Sequence, residues 1–235
     1  MGDTTPAAPT LTTGRPLDEH GEPAGGPVLE LDPDGRPAAL LRQSSRALVA
    51  SPSTETWATL LEVPESGATD RPVLLQWLGP EAPEPPVHRH PASETFEAVD
   101  GPLTVQIDGQ TRSLDPGDSV TVDAGVEHTF RNDTDGTVAF RAELPSMRTV
   151  ASLYTVWALD HEGKLGADGQ PGVTRALPLS ADVYPDTTMT DVPVSLQRIL
   201  WATVGNGLRL LGYAGIEERY LDDEFWHRHV EQPQF

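Results

Sequence analysis

Three histidines and one glutamate stand in the middle of the chain at spacings that suit a shared metal ion. His88 and His90 lie two residues apart, so in a strand both imidazoles point to the same face. Glu94 follows four residues later with the same parity, and His128 comes from a distant part of the chain. Imidazole and carboxylate ligands suit a divalent first-row transition metal. The sequence therefore predicts that these four residues form one metal site.

The ligand types are compatible with several ions. Three histidines favour tetrahedral zinc. Four protein ligands on an octahedral ion leave two positions open, which suits Fe, Mn, Ni or Co together with a substrate or dioxygen. The ligand types do not choose among these metals.

Glu94 has a second candidate role besides that of a ligand. A carboxylate within hydrogen-bond reach of a bound substrate can act as a general base, so Glu94 is also the candidate catalytic residue. Strand parity places Phe96 and Ala98 on the side of Glu94, and Phe130 on the side of His128. These three side chains are predicted to line an apolar substrate pocket, with simple filling of the interior as the alternative.

The elements that must position these residues are short strands. Alternating, β-prone segments bounded by Pro and Gly predict strands over residues 57–63, 73–78, 95–99, 103–108, 119–122, 128–131 and 138–144. After Pro145 the apolar period changes and predicts helices over 147–159, 173–181 and 194–211. The last of these carries an apolar stripe, predicted to pack on its own domain or to form a partner face: Leu196, Leu200, Val204, Leu208 and Leu211.

Two motifs in this region resemble those of the cupin superfamily. The first motif is matched by His88, His90, Glu94 and Gly101, and the second by Gly117, Gly125, His128 and Asn132. Asp123 stands where the family usually has proline. The resemblance implies a mainly β fold, namely a single cupin jelly-roll β-barrel with C-terminal α-helices, similar to single-domain, type 2-like metal-binding cupins.

The changes in composition and apolar spacing along the sequence predict that the chain has three parts. Residues 1–45 are expected to be a flexible N-terminal arm with candidate short edge strands near residues 28–31 and 38–41, because the first 27 residues hold few large apolar groups. Residues 46–146 are expected to form the cupin barrel, and residues 147–235 a helical extension. A second His-x-His pair, His227 and His229, has no third ligand near it and is interpreted as part of a surface tail.

Composition excludes several classes of function. The formal net charge is −20, which argues against nucleic-acid binding because phosphates require a basic face. The chain has no cysteine, so thiol chemistry is excluded. The first residues show no basic region followed by an apolar stretch, so no signal peptide is expected, and without a long uncharged apolar run a cytoplasmic protein that does not bind a membrane is expected. Capture of an edge strand by a second subunit, as cupins often do, makes a homodimer a further expectation.

Three functions fit these observations. The first is a metal-dependent oxidoreductase, a dioxygenase acting on a small oxygen-bearing organic molecule. The second is a non-redox metal-dependent isomerase, cyclase or decarboxylase. The third is a binding or sensing module that holds a small molecule without converting it. The complete ligand set favours an enzyme over a binding module. The choice between the oxidoreductase and the non-redox enzyme depends on how many coordination positions of the metal ion remain open.

Overall fold

Two antiparallel sheets dominate the computed structural model, which describes residues 10–65, 71–166, 171–184, 186–190, 199, 201–212 and 215–235. One sheet has the spatial order β10 (Ser119–Val122), β7 (Glu94–Asp100), β12 (Val138–Glu143), β5 (Val73–Leu78), β4 (Thr56–Glu62) and β3 (Val49–Ser51). The other has the order β13 (Thr188–Met189), β6 (His88–Arg89), β11 (His128–Arg131), β8 (Leu103–Ile107) and β9 (Gln110–Leu114). The expectation of a mainly β, jelly-roll fold with C-terminal helices is confirmed.

The core is formed by the apolar faces of these strands. Trp77, Phe96, Phe140 and Leu103 have fully or almost fully buried side chains. Buried and partly exposed residues alternate along the first part of β7, so that strand covers the core with one face. β5 is buried along its whole length because neighbouring strands flank it on both sides and both of its faces are covered.

Before the last fifty residues, the described part of the chain contains three helices. They are α1 (Arg36–Gln43), α2 (Met147–His161) and α3 (Val173–Val183). Residues 38–41, a candidate strand in the sequence, lie instead in α1, which begins with Pro37 in its first turn and buries Ala38 and Leu41. Proline in the first turn of a helix costs no hydrogen bond, and the alanines and leucines that follow favour a helix over a strand.

The described residues of the C-terminal region include several short helical segments. Among them are a π-helix (Trp201–Gly205), a short α-helix (Asn206–Leu210), a 3-10 helix (Glu218–Leu221) and a final C-terminal helix (Asp223–His229). Of the predicted apolar stripe, Leu196 and Leu200 lie outside the described residues. Val204 is 43% exposed and Leu211 is 76% exposed, so at these two positions the stripe does not pack on the domain.

The two ends of the described chain pair with each other. β1 (Leu11–Thr13) pairs with β2 (Leu29–Leu31) in a separate two-stranded sheet. Gly14 donates its backbone N–H to the Glu231 carbonyl, and Glu231 donates its own to the Arg15 carbonyl. The Arg15 guanidinium also makes two hydrogen bonds, of 2.8 and 2.7 Å, to the Glu231 carboxylate.

The division into an arm, a barrel and an extension stays a prediction. Within the described residues no helix combines the length and the apolarity that a bilayer crossing requires.

Candidate metal centre

The four predicted ligands converge at one end of the space between the two sheets. His88 in β6 and His128 in β11 are directly opposite each other in the antiparallel register, which brings their rings to 4.5 Å between centroids. His90 follows β6 by one residue, and its ring centroid lies 4.9 Å from that of His88. Glu94 opens β7 in the other sheet. Each residue offers one ligand atom, and these atoms all lie within 4.8 Å of one another.

Glu94 reaches the histidines from the opposite sheet, and not along one shared strand as its spacing suggested. Strand parity predicted that Glu94 shares a face with His88 and His90 along one strand. In the structure, residues 91–93 cross from one sheet to the other, so Glu94 faces the histidines across the interior. The two sheets together therefore close the cluster.

The glycine and asparagine of the second motif hold the backbone around the cluster. Gly125 has a φ of +80°, which residues with a side chain rarely adopt, and its N–H donates to the His90 carbonyl at 2.7 Å. The Asn132 amide donates to the carbonyls of Leu78 and Gly136 and accepts a hydrogen bond from the Thr134 N–H. These contacts fix the end of β11 and, with it, the backbone of His128.

The hydrogen bonds of the three imidazoles determine which nitrogen faces inward. The Nδ1 of His88 lies 2.8 Å from the Pro86 carbonyl, that of His90 2.7 Å from the Asp186 carbonyl, and that of His128 3.0 Å from the Val126 carbonyl. A carbonyl oxygen only accepts, so each Nδ1 carries the proton and donates. Each Nε2 is therefore left as the nitrogen that can bind a metal.

Two observations show that the cluster fits a cation. The Nε2 of His90 is buried and has no hydrogen-bond partner among the described residues. The Nε2 of His128 lies 2.8 Å from Oε2 of Glu94, and that of His90 lies 3.1 Å from the same oxygen. A lone pair on nitrogen and a carboxylate oxygen repel at this distance unless a proton or a metal ion lies between them. A divalent ion held by His88, His90, Glu94 and His128 would satisfy all of these atoms.

The electrostatics of the cluster favour an ionised Glu94. Burial alone would raise the pKa of Glu94, but the hydrogen bond to His128 and the closely placed imidazole of His90 outweigh burial and lower that pKa to about 2. Burial, reinforced by the neighbouring imidazoles, lowers the pKa of His88 to about 4. Burial also opposes the charged form of His128, but the hydrogen bond to Glu94 outweighs it and raises the pKa of His128 above its ordinary value.

These shifts predict that metal uptake by the protein displaces a proton from the His128–Glu94 pair. His128 titrates above its ordinary pKa of about 6.5, so affinity should fall as pH is lowered through and below that raised pKa, by about tenfold per pH unit for one displaced proton. His88 stays neutral down to about pH 4 and adds no competition above it. Calorimetric titration with Zn²⁺ in buffers of different ionisation enthalpy measures the released protons. Equal affinity at about pH 8 and pH 5 would contradict the prediction.

Of the three predicted pocket residues, Phe96 has its ring next to a histidine of the cluster. Phe96 and Ala98 are fully buried, and Phe130 is half-buried. The Phe96 ring lies 6.0 Å from the His128 ring and 5.3 Å from the Phe130 ring, between centroids. Phe140 completes this group at 5.2 Å from Phe130, a neighbour that strand parity on single strands did not indicate. Contact of these side chains with a substrate stays a prediction.

Two contacts of the cluster had no signal in the sequence. The Asp186 carbonyl accepts the His90 Nδ1–H bond, and the Thr187 hydroxyl oxygen lies 3.2 Å from the same nitrogen. Both residues belong to the region that the sequence described only as helical. Their approach to His90 is a long-range contact, so no local pattern marks it.

The second His-x-His pair lies away from this cluster. His227 is exposed, whereas the His229 ring stacks on Phe225 at 4.1 Å and its Nδ1 donates to the Phe225 carbonyl. The interpretation of this stretch as a surface tail is wrong for Trp226, whose side chain is completely buried. The C-terminal helix presents its aromatic face to the core and its charged face to solvent.

Comparisons with known proteins agree with the fold and the motifs. Residues 74–142 match the family model described as a cupin domain. No curated protein matches the chain. Among solved structures, the cupin domain of an XRE family transcriptional regulator from Enterobacter cloacae is 24% identical, covers 37% of this chain and 92% of that one, and has a TM-score of 0.33.

Two enzymes also appear among the similar solved structures. The polyketide cyclase RemF from Streptomyces resistomycificus is 22% identical over 43% of this chain and 73% of that one, with a TM-score of 0.36. A variant of salicylate 1,2-dioxygenase from Pseudoaminobacter salicylatoxidans is 25% identical over 36% of this chain and 26% of that one, with a TM-score of 0.32. The family match shows that residues 74–142, which include all four residues of the cluster, form a cupin domain within this chain.

Proposed function

We propose that the four-residue cluster binds one divalent transition-metal ion, with Fe, Mn, Ni, Co and Zn as the candidates. We further propose that the protein is a metal-dependent dioxygenase acting on a small oxygen-bearing organic molecule. The observation that carries metal binding is the buried, unpartnered Nε2 of His90 beside the Glu94 carboxylate. Unpaired buried polar atoms are costly, and a metal ion removes that cost here.

The dioxygenase reading rests on the number of ligands. His88, His90, Glu94 and His128 would hold the ion with four protein atoms, and a metal that prefers six ligands would then still accept a substrate oxygen and dioxygen. When bound, the metal supplies Lewis acidity and, if redox-active, electrons for oxygen chemistry. The protein itself supplies apolar side chains beside the cluster, since the Phe96 ring lies between those of His128 and Phe130.

A non-redox isomerase, cyclase or decarboxylase is the second candidate, favoured by the charge state of Glu94. The hydrogen bond with His128 and the nearby imidazole of His90 keep this buried carboxylate ionised at neutral pH. An ionised carboxylate at the site can accept a proton from a carbon next to a carbonyl group, which is the first step of enolate chemistry. Glu94 is therefore the candidate base in this reading and a ligand in both.

Oxygen consumption distinguishes the two candidates. The protein is loaded separately with Fe²⁺, Mn²⁺, Ni²⁺ and Co²⁺ and mixed with enols, catechols and 1,3-diketones in an oxygen electrode. We expect one metal form to consume oxygen in proportion to substrate lost. Full conversion without oxygen would replace the dioxygenase proposal with the non-redox one. Binding without any conversion would indicate a sensing module instead.

Glu94→Gln should abolish turnover in either enzyme, because the amide is neither an anionic ligand nor a base. General acid–base catalysis contributes roughly 10²–10⁴-fold, so a loss of at least that size is expected. Glu97→Gln is the matched control, since Glu97 lies on the same strand and contacts Arg36 and Arg141 instead of the cluster. Equal activity of the two variants would contradict a role for Glu94.

A further inference from the structure

A short segment of the C-terminal region, residues 186–190, runs along the strand that carries His88. We call this segment the strap. Within it, Met189 pairs with His88 and Thr188 with Arg89 in antiparallel register. The N–H and the hydroxyl of Thr190 both donate to the Val87 carbonyl, at 3.1 and 3.0 Å. The strap is therefore the edge strand next to the metal cluster.

The strap also determines the orientation of one ligand. The imidazoles of His88 and His128 donate to carbonyls only two residues away, at Pro86 and Val126. His90 instead donates to the carbonyl of Asp186, at a separation of 96 residues, with the Thr187 hydroxyl oxygen at 3.2 Å from the same nitrogen. The partner of the outer nitrogen fixes the tautomer and the ring orientation of a metal-binding histidine. The orientation of His90 therefore depends on the strap.

The strap is fixed in turn by the start of helix α2. The Ser146 hydroxyl donates to Oδ2 of Asp186 at 2.8 Å, while its oxygen accepts the first free N–H groups of α2, from Arg148 and Thr149. The Arg148 guanidinium lies 3.4 Å from the same Asp186 oxygen. The Asp186 side chain thus faces the helix start while its carbonyl faces His90. A continuous set of hydrogen bonds joins α2 to the metal cluster.

We infer that Asp186 and Thr187 are positioning residues that hold His90 ready for the metal, and that metal affinity depends on this contact from outside residues 46–146. The inference rests on the proposed metal site. Loss of such outer partners typically lowers metal affinity about 10–100-fold. Substitutions at Asp186 or Thr187 should lower metal affinity more than they lower the free energy of unfolding of the metal-free protein. The strap is a short strand at the edge of the sheet, so it contributes little to the packing of the core.

The first test compares two aspartates that tie separate segments together. Asp186→Ala removes the anchor to Ser146 and Arg148. Asp223→Ala is the control, because Asp223 binds Arg46 and the Ala47 N–H in the same way, at 2.8 and 3.0 Å. Co²⁺ affinity and the Co²⁺ visible spectrum are measured for both variants in the full chain. We expect affinity to fall about tenfold or more, with an altered spectrum, only for Asp186→Ala.

The second test changes the contact with His90 directly. Thr187→Val keeps the shape of the side chain and removes its oxygen, whereas Thr187→Ser restores that oxygen. We expect weaker Co²⁺ binding for Thr187→Val and recovery for Thr187→Ser. Affinity and spectrum equal to wild type in both Asp186→Ala and Thr187→Val would overturn the inference while leaving the metal site intact. A wild-type protein that binds no Co²⁺ or Zn²⁺ would overturn the proposed function and, with it, the inference.

Discussion

A His90→Ala variant is expected to lose more metal affinity than any variant outside the four ligands. The substitution removes one of three imidazoles, and the loss should exceed the roughly 10–100-fold that an outer hydrogen-bond partner contributes. The Nε2 of His90 has no hydrogen-bond partner among the described residues, so within the protein the side chain gives up only its Nδ1 contacts with Asp186 and Thr187. Metal binding can therefore be lost while the fold is kept.

Competition with a chromophoric chelator for Zn²⁺ or Co²⁺ measures the loss in affinity. His161→Ala is the matched control, because His161 is also largely buried and its ring also bonds to a carbonyl, that of Ala50 at 3.0 Å. His161 lies in α2, next to the aromatic group of the C-terminal helix rather than the cluster. If His90→Ala and His161→Ala bound the metal equally well, His90 would not be a ligand.

Trp226→Ala is expected to lower the free energy of unfolding by about 3–5 kcal/mol, the usual cost of replacing a buried aromatic side chain by alanine. The Trp226 side chain is completely buried, and its ring lies edge-on to those of Tyr154 and Phe225, at 5.6 and 5.0 Å between centroids. Its Nε1 donates to the Tyr220 carbonyl at 2.7 Å. The variant would leave a cavity and a buried carbonyl without its donor.

Denaturation in urea measures this loss, provided that the slope of the transition is unchanged. Leu210→Ala serves as the control, since Leu210 is 89% exposed and its removal should change the free energy of unfolding by no more than about 0.5 kcal/mol. A loss below about 1 kcal/mol for Trp226→Ala would mean that the C-terminal helix is dispensable for the core.

The strands of the sheets could be predicted from the sequence where local pattern and burial agree. β5, β10 and β11 have the predicted bounds, and α2 begins at the predicted residue. Their β-branched and aromatic residues alternate or form short buried runs between turn residues, so propensity and burial favour the same structure. The clustering of His88, His90, Glu94 and His128 was predictable for a related reason, because two local motifs contain all of them.

Other strands and helices were missed because contacts with distant parts of the chain, and not the local sequence pattern, stabilise them. β9 has four exposed residues out of five and no apolar alternation, and only its pairing with β8 makes it a strand. The strap is a strand only because it pairs with β6, and β6 lies about a hundred residues earlier in the chain. The C-terminal helix was missed because it is only seven residues long and rich in charge, so that tertiary packing of Phe225 and Trp226 stabilises it.

The pairing of Gly14 and Arg15 with Glu231 has a consequence for the order of folding during protein synthesis. These hydrogen bonds join residues separated by more than two hundred positions, and such contacts close late because the intervening chain must be ordered first. The segment around residue 14 leaves the ribosome early and remains without these partners until residue 231 has been translated. In the nascent protein, the sheets that carry the four clustered residues can therefore assemble before Gly14 and Arg15 are joined to Glu231.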